Sequence, residues 1–114
     1  MHVAYYANYS VWFEVGRCEL LRSLGRTYRD LESEGFMLPV IEAHCEYRRP
    51  ARYDDDLTIL THGRLMSPAR VRFDYEVQRP ADAVVTAVGR TVHAVVDREG
   101  RPTRLPAPVR KVLA

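Results

Sequence analysis

The hydrophobic period of this chain changes once, near Gly35, and that change constrains the fold more than any other feature. From Asn8 to Leu24 the apolar residues Tyr9, Trp12, Phe13, Leu20 and Leu24 recur at three- and four-residue steps, with Gly16 completing the stripe. This spacing predicts a long α-helix, and Gly25 stands where a helix C-cap glycine belongs. Val11, Val15 and Cys18 add a second apolar face, so the first half of the helix is hydrophobic nearly all round. Such a helix is expected to be wrapped by other elements. Thr27-Tyr28-Arg29-Asp30 reads as a capping box for a short second helix that Gly35 would end.

Beyond Gly35 the period is two. Between Val40 and Arg48, Ala43, Cys45 and Tyr47 face one way and Glu42, His44, Glu46 and Arg48 the other, which predicts a half-buried strand. Leu57, Ile59, Thr61 and Leu65 alternate in the same manner, as do Val71, Phe73, Tyr75 and Val77 against Arg70, Arg72, Asp74, Glu76 and Gln78. Val84 to Val96 is apolar on both faces except for Arg90 and His93, which suits a central strand covered on two sides. Turn signals at Arg49-Pro50-Ala51, Ser67-Pro68, Arg79-Pro80-Ala81-Asp82 and Arg98-Glu99-Gly100 separate these segments. The tail from Pro106 to Leu113 is expected to close the fold as a short helix, since proline is tolerated in a first turn.

One long helix followed by an antiparallel meander has few packing solutions, because each element must bury its apolar face against another. The economical one is an α+β domain over residues 1–114 in which a curved sheet wraps the helix. A chain of 114 residues with 46% hydrophobic content supports one core with little to spare, so oligomerisation is expected. Seventeen basic residues against fifteen acidic ones are scattered through every segment, which argues against nucleic acid as the partner. No apolar run approaches the roughly 18 residues of a membrane span and no secretory leader is legible, so a cytoplasmic location is expected. Cys18 and Cys45 have neither disulfide-framework nor metal-ligand spacing and read as buried thiols.

The segment His2-Val3-Ala4-Tyr5-Tyr6-Ala7-Asn8-Tyr9 sets three tyrosines and an asparagine directly against the helix. First residues are usually poorly ordered unless something ties them down, so a start this aromatic reads as the middle of a site.

At these residues the chain resembles a known family. Val3-Ala4-Tyr5-Tyr6-Ala7-Asn8-Tyr9, Trp12-Phe13-Glu14-Val15-Gly16-Arg17 and Glu19-Leu20-Leu21-Arg22 resemble the signature helix of the 4-hydroxybenzoyl-CoA thioesterase-like branch of the hotdog superfamily. Pro50-Ala51-Arg52-Tyr53-Asp54-Asp55-Asp56-Leu57 resembles its "PA-x-YDD-x-L" turn, and Arg104-Leu105-Pro106 its closing "RLP". The resemblance implies a hotdog-fold acyl-CoA thioesterase, a homodimer or homotetramer with active sites where subunits meet, and no metal or organic cofactor. It implies that helix N-terminal N–H groups, which lack intrahelical partners, act as an oxyanion hole. The matching donor is the backbone N–H of Tyr6, with Ala7 beside it.

The family's catalytic aspartate precedes the helix in a pattern like "D-x-x-G-V-x-Y-x-x-N-Y". Counting back from Asn8 and Tyr9 puts it two positions before Met1, with the family glycine on His2 and the first strand of the sheet missing. The expected reason is that Met1 is an internal methionine of a longer sequence. The alternative is a non-catalytic acyl-CoA or acyl-carrier-protein binding subunit.

Within the chain as given, three side chains are candidates for the chemistry. His2 adjoins the vacant position and has a suitable pKa for a base, with an exposed terminal histidine as the plainer reading. Glu14 lies two turns into the helix, where other hotdog branches use a glutamate; the plainer reading is an ion pair with Arg17. The Tyr6 hydroxyl could orient water or substrate, or Tyr6 could be a pocket wall. For the substrate, Tyr5 belongs to the same aromatic entry, Asn8 serves as N-cap or substrate contact, and Tyr9 and Trp12 line the acyl pocket or the core beneath it. Arg70 occupies the region where relatives place CoA phosphate contacts. Glu42, His44 and Glu46 share one strand face but lack a fourth ligand, and no metal is expected. His62 and His93 read as structural.

Overall fold

The computed structural model describes residues 7–49 and 56–113, with the side chains of residues 7–10 and 112 outside that description. Three helices and four strands follow in order: α1 Ala7–Ser23, α2 Tyr28–Ser33, β1 Val40–Tyr47, β2 Thr58–Ser67, β3 Arg70–Arg79, β4 Val84–Ala94 and α3 Ala107–Leu113. The architecture is α+β, a long helix on an antiparallel sheet.

The helix ends form as their residues dictate. Gly25 adopts φ +83°, which only glycine enters without strain, while its N–H donates to Arg22 O and that of Arg26 to Leu21 O. Thr27 Oγ1 accepts from Asp30 N, the Asp30 carboxylate accepts from Thr27 N, and Gly35 at φ +92° ends α2.

All pairings in the sheet are antiparallel, in the order β1-β4-β3-β2. A plain meander would seat β1 beside β2, but β1 crosses to the far side and pairs with β4. That placement gives β4 a hydrogen-bonded neighbour along both edges, as its apolar sequence requires. Val71, Phe73, Tyr75 and Val77 of β3 are buried and form the core with Phe13 and Leu21 of α1, Leu31 of α2, and Val109 and Leu113 of α3. Each such side chain contributes roughly 1.5–3 kcal/mol through burial. α1 packs chiefly against β2 and β3. The approach is close: a Cβ on Gly16 would lie 2.3 Å from Thr61 Oγ1.

Three expectations need correcting. The sheet does not wrap α1 on every side, since Val11 is 55% and Val15 51% exposed. β1 is not half-buried, because α1 lies over the β2–β3 half of the sheet and leaves Ala43 and Tyr47 of β1 exposed. For the same reason neither Cys18 nor Cys45 is fully buried, and both are free thiols.

Candidate active-site cavity

Because α1 sits over β2 and β3, a cavity of about 320 Å³ opens between the helix and the β1–β4 half of the sheet. Phe13 and Arg17 supply the helix wall, while Val40, Ala43, His44, Cys45, Arg90 and Thr91 supply the strand wall. Strand alternation sorts these contributions. The register pairs Ala43 with Thr91, His44 with Arg90 and Cys45 with Gly89. Successive side chains point to opposite faces, so Ala43, Cys45 and Thr91 face α1 while the His44 and Arg90 side chains point away. Burial pushes the Cys45 thiol up, against a bond with Tyr47, so it lines the wall uncharged. Gly89 makes room for Phe13: a Cβ there would lie 2.6 Å from Phe13 Cε2.

A chain of hydrogen bonds runs from the cavity into the core. Arg17 Nε donates to Tyr28 Oη at 3.2 Å and Nη1 to Tyr75 Oη at 3.0 Å. Tyr75 Oη lies 2.6 Å from Thr91 Oγ1, Thr91 Oγ1 lies 2.9 Å from His93 Nε2, and His93 Nδ1 lies 2.9 Å from Leu38 O. The two ends settle the proton positions. Leu38 O can only accept, so Nδ1 carries the His93 hydrogen. Burial lowers the His93 pKa, with the Leu38 bond opposing and Arg17 adding to the decrease, so the ring is neutral and Nε2 accepts from Thr91. Thr91 then accepts from Tyr75, and Tyr75 accepts from Arg17.

The charge in this chain is uncompensated. Burial pushes Tyr28 up to about 12, although Arg17 pulls the other way, and raises Tyr75 as well, so both hydroxyls stay neutral at physiological pH. Burial opposes the charged form of Arg17, but its bonds to Tyr75 and Tyr28 outweigh this and raise its pKa. Arg17 pairs with no carboxylate among the described residues.

The residues singled out from sequence distribute unevenly. His2, Tyr5 and Tyr6 lie outside the described residues. Asn8 lies within α1 instead of at its N-cap, and Tyr9 follows it in the helix. Trp12 is partly buried against the core. Glu14 is exposed and makes no pair with Arg17, whose guanidinium turns to the two tyrosines. Arg70 is exposed at the start of β3. The cavity at the nearby Pro68 turn, about 690 Å³, is instead lined by Arg110 and Lys111 of α3 with Leu65. His93 is buried and structural, whereas His62 is exposed. Among the described residues no group of His, Cys, Asp or Glu is arranged to hold a metal, and no helix is long and apolar enough to cross a membrane.

Arg17 as a cavity residue was not singled out from sequence. The available signal is its position: it stands four residues from both Phe13 and Leu21, a lone cation on the helix face that those residues bury.

Comparison with known proteins places this geometry in context. Residues 1–113 match the thioesterase-like superfamily. The chain is 31% identical over 99 residues to the "Putative acyl-CoA thioesterase YneP" of Bacillus subtilis (strain 168), spanning 87% of this chain and 71% of that protein. It is 30% identical over 111 residues to a "Putative esterase" of Aquifex aeolicus, spanning 97% and 84%. The solved DHNA-CoA thioesterase of Staphylococcus aureus matches with a TM-score of 0.83 at 28% identity, over 91% of this chain and 70% of that one. A 1,4-dihydroxy-2-naphthoyl-CoA thioesterase from Synechocystis matches with a TM-score of 0.91, over 98% of this chain and 83% of that one; at 23% identity this is a likeness of fold.

Proposed function

This chain belongs to the thioesterase-like superfamily and is a hotdog-fold thioesterase, and from that premise we propose that it hydrolyses an acyl-CoA thioester beside the N-terminus of α1. The observation that carries this reading is the 17-residue helix itself. Its first turn contains no acidic side chain to neutralise the positive end of the dipole. The N–H groups of Tyr6 and Ala7 are the oxyanion donors in this reading. Each such donor is worth about 3–4 kcal/mol in the transition state, because it meets charge that develops only there.

Attack is by water, activated by Glu14, His2 or the Tyr6 hydroxyl, or by way of an acyl group on the Glu14 carboxylate. Glu14 has the support that it lies on an open part of α1, between the exposed Val11 and Val15. Tyr5, Asn8, Tyr9 and Trp12 border the acyl group. Arg70, with Arg110 and Lys111 close to the same turn, suits the phosphates of CoA as charge-assisted donors. Uncovered Val11, Val15, Val40 and Ile41 support a homodimer or homotetramer, since exposed apolar side chains on facing elements favour burial against another copy.

The test is a panel of acyl-CoAs with a thiol-trapping reagent, run on protein whose molar mass in solution is measured alongside. CoA release above background is expected from an oligomer of the 13.1 kDa chain. A folded oligomer that binds the esters without releasing CoA has the non-catalytic binding role instead.

A further inference from the structure

The cavity beside α1 has an unusual balance of groups. Phe13, Val40, Ala43 and Cys45 make it largely apolar, no carboxylate lines it among the described residues, and one cationic side chain, Arg17, faces it from the helix. A half-buried cation at an apolar wall is costly unless an anion meets it. The partners Arg17 does have are hydroxyls that accept at Nε and Nη1. They hold the guanidinium in one orientation without neutralising it. A guanidinium has five N–H donors; these two bonds use two of them, and the side chain lines the cavity.

We propose that Arg17 selects the acyl group, and that the preferred substrate is a short acyl-CoA whose far end is a carboxylate. This rests on the acyl-CoA reading above and adds the substrate class to it. The methylenes pack on Phe13, Val40, Ala43 and Cys45, and the terminal carboxylate accepts from Nη2 and the neighbouring N–H of Nη1. Such a fork is stronger and more directional than a neutral hydrogen bond. The volume of about 320 Å³ is at the small end of ligand pockets, which suits a short chain. The prior fixing of the guanidinium by Tyr28 and Tyr75 lowers the ordering cost of binding.

The experiment compares chain-matched pairs, glutaryl-CoA with valeryl-CoA and adipyl-CoA with hexanoyl-CoA, on the wild type, Arg17→Gln and Arg17→Lys. The expected kcat/KM ratio of carboxylate to methyl terminus is at least about tenfold in the wild type. It falls to near one in Arg17→Gln, mainly through KM, and is intermediate in Arg17→Lys. A wild-type ratio of one or below overturns the proposal even if the variants do not fold, and so does an equal ratio in folded Arg17→Gln. Calorimetric binding of the 4-carboxybutyl and pentyl thioethers of CoA separates this idea from the hydrolysis it rests on. Tighter binding of the carboxybutyl compound that Arg17→Gln abolishes, with no thioester turned over, upholds the role of Arg17 and removes the thioesterase reading. Turnover of both series without preference does the reverse.

Discussion

The Tyr75 hydroxyl lies 2.6 Å from Thr91 Oγ1, and this bond between adjacent strands joins the cation on α1 to the buried histidine on β4. The Tyr75 ring also stacks on Phe13, with centroids 4.3 Å apart and planes 11° from parallel. One residue therefore supports the cavity through both its ring and its hydroxyl.

Tyr75→Phe keeps the stack and deletes the hydroxyl. It leaves Arg17 Nη1 and Thr91 Oγ1 each short of a partner in a half-buried or buried setting. The expected cost is about 1–3 kcal/mol, read from urea denaturation against the wild type. A change within about 0.5 kcal/mol would mean that water replaces the hydroxyl freely.

Stability should fall in mild acid because of His93. Its folded pKa is lowered, chiefly by burial, so the unfolded chain takes up a proton near pH 6.5 before the folded one can. The contribution is intact above about pH 6.5 and is lost as pH drops from there through the folded value. Asp82 and Asp97, also lowered, act in a separate window, losing their contribution only below the ordinary carboxylate range. Urea midpoints measured from pH 7.5 to 5 should decline, and His93→Gln should flatten the profile. An unchanged slope in that variant would assign the decline to another group.

Gly89→Ala should disrupt the cavity from beneath. The new Cβ would meet Phe13 Cε2 at 2.6 Å and the His44 backbone oxygen at 2.9 Å, and the latter cannot rotate away. Overpacking of this kind costs about 1–3 kcal/mol. Thermal unfolding should register the loss; a wild-type melting temperature would show that β1 yields at its open edge.

Glu14→Gln tests the attacking group. If this carboxylate activates water, kcat falls by about 10²–10⁴-fold with KM little altered, because general-base catalysis acts on the chemical step. Glu14 is exposed, so the fold should tolerate the change and circular dichroism should match the wild type. Full activity would move the role to the residues preceding Ala7.

Local pattern was legible wherever neighbours in sequence decide the outcome. The stripe through Phe13 and Leu20, the Gly25 stop, the Thr27–Asp30 capping box and the alternation of Val71, Phe73, Tyr75 and Val77 all lie within one turn or one strand, and each formed as expected. The exposed edge at β1 was not legible. Ala43, Cys45 and Tyr47 alternate as cleanly as the β3 residues, and only the docking of α1 over β2 and β3 leaves Ala43 and Tyr47 open.

The candidate site divides in the same way. Sequence by itself determined most of the elements and the family, because these depend on the spacing of side chains along the chain. Tertiary structure alone decided that Arg17 leaves Glu14, three residues away, for Tyr75, 58 residues away. Helical spacing and charge alone favour Glu14. An exposed carboxylate is well hydrated and gains little from pairing, whereas a buried hydroxyl must find a donor, and only the packing of α1 on β3 brings the guanidinium within reach.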